Sequence, residues 1–472
     1  MLPQHGEDMR VLFINRSTAN FYYTESVVDA LLKHGHEVSV LFEKTREHWI
    51  KGEYLRSVEE FKKKYPDFTF GISFPRSDAW RRLVMPARVL LNYRRFLFAK
   101  NQSDYFKDRN IKYLPKAVKF ILGFPGADFI IKSGFCRKAL EKIEDLAGVD
   151  QKIFEQVKAY SPDVVLITLG GMRYGAMDTD YLKAAKACGK KTAVMALSWD
   201  SVSNKAFMHI KPDILLLWND VHKEQAKAHH GVLEEKIKIV GAPVFDGWFQ
   251  DNTNDTNFRT NAANREEFCR KLGFDSKNPI LLYLGSPSTI TADESRLVKE
   301  IRVALNNGKD ERLKDAQIIF RPHPAHYKAY ESLDIRGVTV SPKGGEMADT
   351  KNARGDFFNA MHHASAVLAV NTSGMIDAVI ADKPVIVLMR GEYAQTQEQA
   401  EHFKAMMLEE SFYITKTDTE LLGVLKNILD GADDKKTARA NFVRRFIRPR
   451  GIGLSAGECV REELEKVVQS KK

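Results

Sequence analysis

The residues best suited to chemistry lie in Val367-Leu368-Ala369-Val370-Asn371-Thr372-Ser373-Gly374-Met375-Ile376-Asp377, followed by Lys383-Pro384-Val385-Ile386-Val387-Leu388. An apolar run enters a polar turn, a helix starts, and a second apolar run follows the proline, so the segment reads as strand, turn, helix, strand. Backbone amides of Thr372, Ser373 and Gly374 at the positive end of a helix make an anion site. Gly374 allows close backbone approach, and the two hydroxyls can donate to phosphate oxygens. Asp377, one turn further on, is placed to accept from a ribose hydroxyl. The competing reading is an ordinary strand–helix connection in which Thr or Ser caps the helix.

A second candidate is Ile318-Ile319-Phe320-Arg321-Pro322-His323-Pro324, a strand running into a proline-stiffened turn. Its side chains emerge at a strand's carboxyl end, where open α/β sheets bind ligands. Arg321 offers a phosphate partner, and His323 a neutral donor or acceptor. His323 could instead only order its own turn. A third strand, Pro279 to Leu284, runs into Gly285-Ser286, the place for another phosphate-facing turn. His323 and the Thr372–Gly374 turn should fall within reach of each other, because both end strands of one sheet.

These segments need a scaffold, and the chain's rhythm supplies one. Residues 10–43 read as strand, loop, helix from Thr24 to Lys33, and strand from Glu37 to Phe42. Alternation resumes with a strand at Asp163–Leu169, a helix near Thr179–Cys188, a strand at Lys191–Leu197, a polar loop at 198–205, a strand at Asp213–Trp218, a helix at Val221–His230 and a strand at Ile237–Val240. Residues 45–150 between them read as an irregular, mostly helical insertion. Residues 245–277 are polar and read as a linker region. Later strands are expected at 317–320, 338–340, 366–370 and 384–389. The expected division is 9–244, the linker, 278–440, and a helical tail over 441–472 that crosses back.

At 472 residues the chain suits two domains, each burying its own core, and 44% hydrophobic with 28% charged residues excludes disordered and fibrous classes. Cys136, Cys188, Cys269 and Cys459 are scattered, without zinc or disulfide spacing, which suits a reducing compartment. Neither a signal peptide nor a run near the roughly 20 apolar residues of a spanning helix is evident, so a cytoplasmic location is expected. The net charge of +10 is concentrated: residues 75–120 carry twelve Lys or Arg against three Asp. There Trp80, Leu83, Val84, Leu90, Leu91, Phe96 and Phe98 interleave with arginines. This mixture makes 80–119 a candidate contact with an anionic membrane surface, as a peripheral attachment on the inner face. A helix packed on its own domain with a solvated basic face is the alternative. No nucleic-acid-binding motif accompanies the charge, and no nucleic-acid partner is expected.

The Thr372-Ser373-Gly374 turn followed by Asp377 resembles the donor turn of GT-B sugar-nucleotide enzymes. His34-Gly35-His36-Glu37-Val38 resembles the end of the first βαβ unit in GT-B glycosyltransferases, and Gly241-Ala242-Pro243-Val244 the turn that leaves their first domain. The first loop, Asn15-Arg16-Ser17-Thr18-Ala19-Asn20, departs from their Gly-rich pattern. Arg321-Pro322-His323-Pro324 resembles the histidine motif of CDP-glycerol glycerophosphotransferases, and there is local similarity to UDP-N-acetylglucosamine 2-epimerases, which usually lack such a basic insertion. The resemblance implies an α/β fold: two Rossmann-like domains facing a cleft (GT-B type), with a helical basic insertion in the first. It implies a nucleotide-sugar donor held by the second domain through Gly285, Ser286, Arg321, His323, Thr372, Ser373, Gly374, Asp377 and Gln397. A sugar or lipid-linked acceptor would be held by the first.

The function expected is a metal-independent glycosyltransferase acting in surface polysaccharide or lipid-linked glycan assembly. The alternatives are a CDP-linked polyol-phosphate transferase and a non-catalytic nucleotide-binding protein of the same shape. Asp200, between Trp199 and Ser201 after a strand, is the candidate base, with His323 as the second catalytic candidate. Asp200 could instead only bond its own loop through Ser201 and Ser203. Gln397 follows a strand and either reaches the transferred group or sits in a solvated loop. Asp178-Thr179-Asp180 has metal-binding spacing but precedes a helix, which it is expected to cap, as Asp220 caps the next. The diphosphate charge would then be balanced by amides, hydroxyls and Arg321, with no metal and no cofactor.

Overall fold

Continuous apolar runs such as Val164–Leu169 and Val385–Leu388 suit only strands covered on both faces, and every strand pairing seen is accordingly parallel. A computed structural model describes residues 8–43, 55–98, 103–169, 177–205, 207–249, 263–345 and 347–470. It divides into two units, residues 1–246 with 446–472 and residues 247–445.

In the first unit the strands are β1 (Arg10–Asn15), β2 (Glu37–Glu43), β3 (Thr69–Ser73), β4 (Val164–Leu169), β5 (Lys191–Ala196), β6 (Ile214–Leu217) and β7 (Ile237–Ile239). They form one sheet in the order β3-β2-β1-β4-β5-β6-β7. Strand order reverses between β1 and β4, where Val11 pairs Val38 on one side and Val164 on the other. Val27, Val28 and Leu31 of the helix Glu25–Lys33 share a core with Val460 and Leu464 of the helix Ala456–Gln469. The two helices meet closely at Gly457, where a Cβ would lie 2.3 Å from the carbonyl oxygen of Ser26. Asp246 holds the start of the later helix by accepting from the amides of Ala456 (3.0 Å) and Gly457 (2.8 Å), and it pairs with Arg448 at 2.9 Å.

The insertion differs from its expected form. Besides helices it contributes β3, which joins the edge of the sheet by pairing Ser39 with Thr69. The basic stretch forms the helix Arg81–Phe98, and much of it faces inward. Arg88 is fully buried, donating from Nε to Glu144 at 2.7 Å and from a terminal nitrogen to Asp180 at 2.7 Å. Arg76 reaches the same Asp180 at 3.2 Å, and Lys183 reaches Glu144 at 3.0 Å. Asp180 is thus a buried ion partner and not the expected helix cap, because a buried guanidinium needs carboxylates around it. Arg95 is also buried and donates to the carbonyl of Val202 at 3.0 Å. Asn219, not Asp220, caps the helix Asp220–His230, its Oδ1 accepting from the His222 amide at 3.0 Å.

The second unit contains β8 (Ile280–Leu284), β9 (Gln317–Arg321), β10 (Val338–Val340), β11 (Ala366–Ala369), β12 (Val385–Leu388) and β13 (Tyr413–Thr415), in the order β10-β9-β8-β11-β12-β13. Tyr283 pairs Phe320 on one side and Leu368 on the other. The order reverses between β8 and β11, so a crevice forms outside their carboxyl ends. Of the segment expected as linker, 250–262 lie outside the described residues. Arg265–Leu272 form a helix, which Arg265 fixes by donating to the carbonyls of Ser276, Asn278 and His363 at 2.8–2.9 Å. Among the described residues no helix is long and apolar enough to cross a membrane.

Candidate functional site

Three of the segments singled out above end neighbouring strands at the switch point of the second sheet. Gly285 follows β8, Arg321 ends β9, and the Asn371–Gly374 turn follows β11. The loop after β8 bonds to both neighbours: the Gly285 amide donates to the carbonyl of Arg321 at 2.9 Å, and the Asn371 amide donates to the Ser286 hydroxyl at 3.3 Å. Gly285 lies so close to the next turn that a Cβ there would be 3.1 Å from the His323 nitrogen and from Pro322 Cα. At Gly374 a Cβ would meet Leu284 Cδ1 at 2.9 Å and Phe357 at 3.7 Å. Small residues therefore stand where chains from β8, β9 and β11 crowd together.

Ser373 is exposed and Thr372 nearly enclosed. The first helical bonds run from the Met375 amide to Thr372 O (3.2 Å) and from the Ile376 amide to Ser373 O (2.9 Å). The amides of Thr372, Ser373 and Gly374 precede them, at the start of the helix Gly374–Ile380. The Arg321 guanidinium lies over the Phe357 ring, 4.9 Å from its centroid, which keeps the cation at the strand end.

His323 caps the turn Pro324–Tyr330 by accepting the Ala325 amide at Nδ1, 3.1 Å away. Burial, with a smaller push from His326, lowers its pKa to about 4. A neutral ring that accepts at Nδ1 carries its proton on Nε2. His323 is accordingly a hydrogen-bond donor at neutral pH, one of the two roles, neutral donor or acceptor, expected for it.

Two expected contacts lie behind the turn. Ser286 is fully enclosed and Gln397 equally so, its amide nitrogen donating to the carbonyls of Val370 (2.7 Å) and Leu388 (3.2 Å). Gln397 ties the ends of β11 and β12 together, so it neither reaches a transferred group nor lies in a solvated loop. Asp377 is partly buried and accepts from the Trp248 indole at 2.8 Å. Burial raises its pKa to about 7, and the indole only partly offsets this.

Glu294 escaped the sequence reading. Fully buried, it accepts from the Ser286 amide at 2.8 Å and the Tyr283 hydroxyl at 3.2 Å, while its own amide donates to the Tyr330 hydroxyl at 3.1 Å. Burial pushes its pKa up to about 7 against the hydrogen bonds it accepts. Only its place eight residues beyond Ser286 hinted at it. Asn371, whose side chain donates to Thr396 O at 2.7 Å, completes the frame.

Asp200 belongs to the first unit, after β5. Its carboxylate accepts from the Ser198 hydroxyl at 2.5 Å and pairs with Lys205 at 3.0 Å. Loop bonds to it come from Ser198, Asn204 and Lys205.

The profile of the CDP-glycerol:poly(glycerophosphate) glycerophosphotransferase family matches residues 96–450, three quarters of the chain. Among solved structures, a glycosyltransferase from Rickettsia africae ESF-5 is similar with 12% identity over 99% of this chain and 100% of its own, at a TM-score of 0.54. UDP-GlcNAc 2-epimerase from Methanocaldococcus jannaschii is 14% identical over 97% and 99% of the two chains, at 0.54. The enzyme of that name from Neisseria meningitidis, bound to UDP-GlcNAc, is 12% identical over 97% and 100%, at 0.53. No curated protein matches in sequence. Identities this low carry the fold alone: α/β, with two Rossmann-like domains of the GT-B type and a helical basic insertion in the first.

Proposed function

Since this chain belongs to the CDP-glycerol:poly(glycerophosphate) glycerophosphotransferase family, we propose that it is a transferase taking a CDP-linked polyol phosphate as donor. The observation that carries this reading is the convergence of Arg321, His323 and the Thr372–Gly374 turn at the switch point of the second sheet, where such sheets bind ligands. The turn amides, the Ser373 hydroxyl and Arg321 would hold the diphosphate and offset its charge without requiring a metal. An acceptor hydroxyl would attack the phosphorus bearing the polyol. The new O–P bond forms as the diphosphate bridge breaks, and CMP leaves with the bridging oxygen. His323 Nε2–H is suited to donate to the departing phosphate, where charge develops. Asp200 remains the candidate to take the acceptor's proton, and Asp377 to bind the ribose.

A second reading, transfer of a sugar from a nucleotide-sugar to a surface polysaccharide or lipid-linked acceptor, is supported by the fold shared with a glycosyltransferase and with an epimerase bound to UDP-GlcNAc. There the attack falls on the anomeric carbon and a nucleoside diphosphate leaves. A thermal-shift panel of CDP, UDP, GDP and dTDP conjugates identifies the donor, and the released nucleotide separates the readings. CMP from CDP-glycerol supports the first, and a nucleoside diphosphate from a nucleotide-sugar supports the second. Stabilisation by none of them would overturn both.

A further inference from the structure

The loop that carries Asp200 is buried along most of its length, and side chains from elsewhere in the first unit satisfy its carbonyls. It leaves β5 at Ser198, makes the short helix Ser201–Asn204 and ends at Lys205. Trp199, Ser201, Val202, Ser203 and Asn204 are all buried. So short a helix leaves its last carbonyls without helical partners, and buried carbonyls need donors. Four buried side chains supply them. His222 and His230, from the helix Asp220–His230, reach the carbonyls of Trp199 (2.9 Å) and Val202 (2.7 Å) through Nε2. A carbonyl only accepts, so Nε2 carries the proton in each ring, and burial keeps both rings neutral by lowering their pKa values. Arg95 donates to the Val202 carbonyl at 3.0 Å from one terminal nitrogen and to the Lys205 carbonyl from the other. Arg109, in the helix Asp104–Ile111, donates to Asn204 from a single terminal nitrogen, 2.5 Å from Oδ1 and 3.4 Å from the carbonyl oxygen.

Loops ordinarily lie at the surface, where water serves their backbone, and desolvating two guanidiniums to hold one inside is unfavourable. The residue this arrangement presents is Asp200. Between the enclosed Trp199 and Ser201 its side chain stays 16% exposed, at the carboxyl end of β5, the side of an open sheet on which ligands bind. We infer that Arg95 and Arg109, with His222 and His230, are positioning residues that fix the backbone on both sides of Asp200 and so aim its carboxylate at the acceptor hydroxyl. The inference rests on the reading of Asp200 as the group that takes the acceptor's proton. It gives the insertion a part in that step, since both arginines come from it. A base acts only within hydrogen-bond reach of the proton it takes, so a displaced loop lowers turnover while donor binding by the second unit is kept.

Hydrogen exchange of the full chain reads the brace without any substrate. The amides of Ser198, Ser201 and Asn204 bond within the loop and serve as its reporters. In Arg95→Lys one ammonium replaces two diverging nitrogens, so these amides should exchange at least tenfold faster while those of β8 and β11 keep their wild-type rates. Calorimetry and initial rates with CDP-glycerol then separate the roles: kcat should fall at least tenfold, with donor Kd and KM within twofold of wild type. Arg109→Met should behave likewise. Arg109→Lys should recover at least a third of the wild-type kcat, because a single nitrogen makes both bonds to Asn204. Wild-type exchange over 198–205 in a folded Arg95→Lys would overturn the brace. Faster exchange with an unchanged kcat, or a fall in kcat matched by an equal loss of donor affinity, would overturn the positioning role. Wild-type protein that binds no CDP-glycerol would refute the donor reading and not the brace, which exchange decides by itself.

Discussion

The indole nitrogen of Trp248 donates to Asp377 at 2.8 Å, joining residues 129 positions apart and placing a neutral donor on the carboxyl that follows the Thr372–Gly374 turn. Trp248 is buried and packs beside Phe358, ring centroids 5.9 Å apart. Asp377 thus has a structural partner of its own, and any ribose hydroxyl would share it with the indole.

Burial of Asp377 and Glu294, which the indole only partly offsets at Asp377, gives the second unit a pH dependence. Burial pushes the Asp377 and Glu294 carboxyls up to about 7, above the ordinary carboxylate values of 3.8 and 4.5. The folded state therefore holds protons that the unfolded chain has released between about pH 4 and 7. Stability from these groups is full below the unfolded values and is lost as pH rises through 7. Thermal melts should show Asp377→Asn gaining on the wild type as pH goes from 5 to 8. Trp248→Phe, which removes the donor that favours the charged form, should cost about 1–3 kcal/mol at pH 8 and less at pH 5. Parallel pH profiles for wild type and Asp377→Asn would refute the assignment.

At Gly374 an added Cβ meets the end of the Leu284 side chain, which can give way, so Gly374→Ala should fold. It should still weaken nucleotide binding at least tenfold in calorimetry, by filling the approach to the turn. Gly374→Val, whose extra methyl groups press on Leu284 and Phe357, should in addition lose about 1–3 kcal/mol of stability.

His323 caps a turn and, in the proposed reaction, would also donate from Nε2, two contributions that can be separated. Its Nδ1 caps the Pro324–Tyr330 turn, a role that an asparagine oxygen can take over, whereas Nε2–H has no counterpart in asparagine. His323→Asn should keep its melting temperature within a few degrees while kcat falls by about 10²–10³. Because the imidazole stays neutral above about pH 4, it should add no inflection near pH 6.5 to the kcat profile.

The arginines of the helix Arg81–Phe98 should divide by burial. Arg88→Ala removes the guanidinium shared by Glu144 and Asp180, leaving them only Lys183 and Arg76, and should cost about 3–5 kcal/mol in urea unfolding. Arg88→Lys should rescue little, since one ammonium cannot serve both carboxylates in this geometry. Arg82→Ser, at an exposed position, should stay within about 0.5 kcal/mol of wild type.

Local pattern carries everything here that depends on a residue's near neighbours. The apolar runs that became β4, β8, β11 and β12, the turns at Gly285 and at Thr372–Gly374, and the strand-to-proline turn at Arg321-Pro322-His323 all follow from periodicity and turn chemistry. A parallel sheet with a reversal in strand order then has to bring such turns together at one edge, which makes the general place of the candidate site legible as well. What the sequence could not hold is the choice of partner across the fold. Gly71 in the middle of β3 breaks the apolar pattern, and only pairing with β2 makes that segment a strand. Arg88 reads as one cation in a basic stretch until Glu144 and Asp180 arrive from 56 and 92 residues away and allow it to be buried. Gln397, Glu294 and Trp248 carry no local mark of their roles. Each bonds groups that the closing of the sheet brings within about 3 Å, and burial, which tertiary packing alone sets, then decides how each carboxyl or amide must be satisfied.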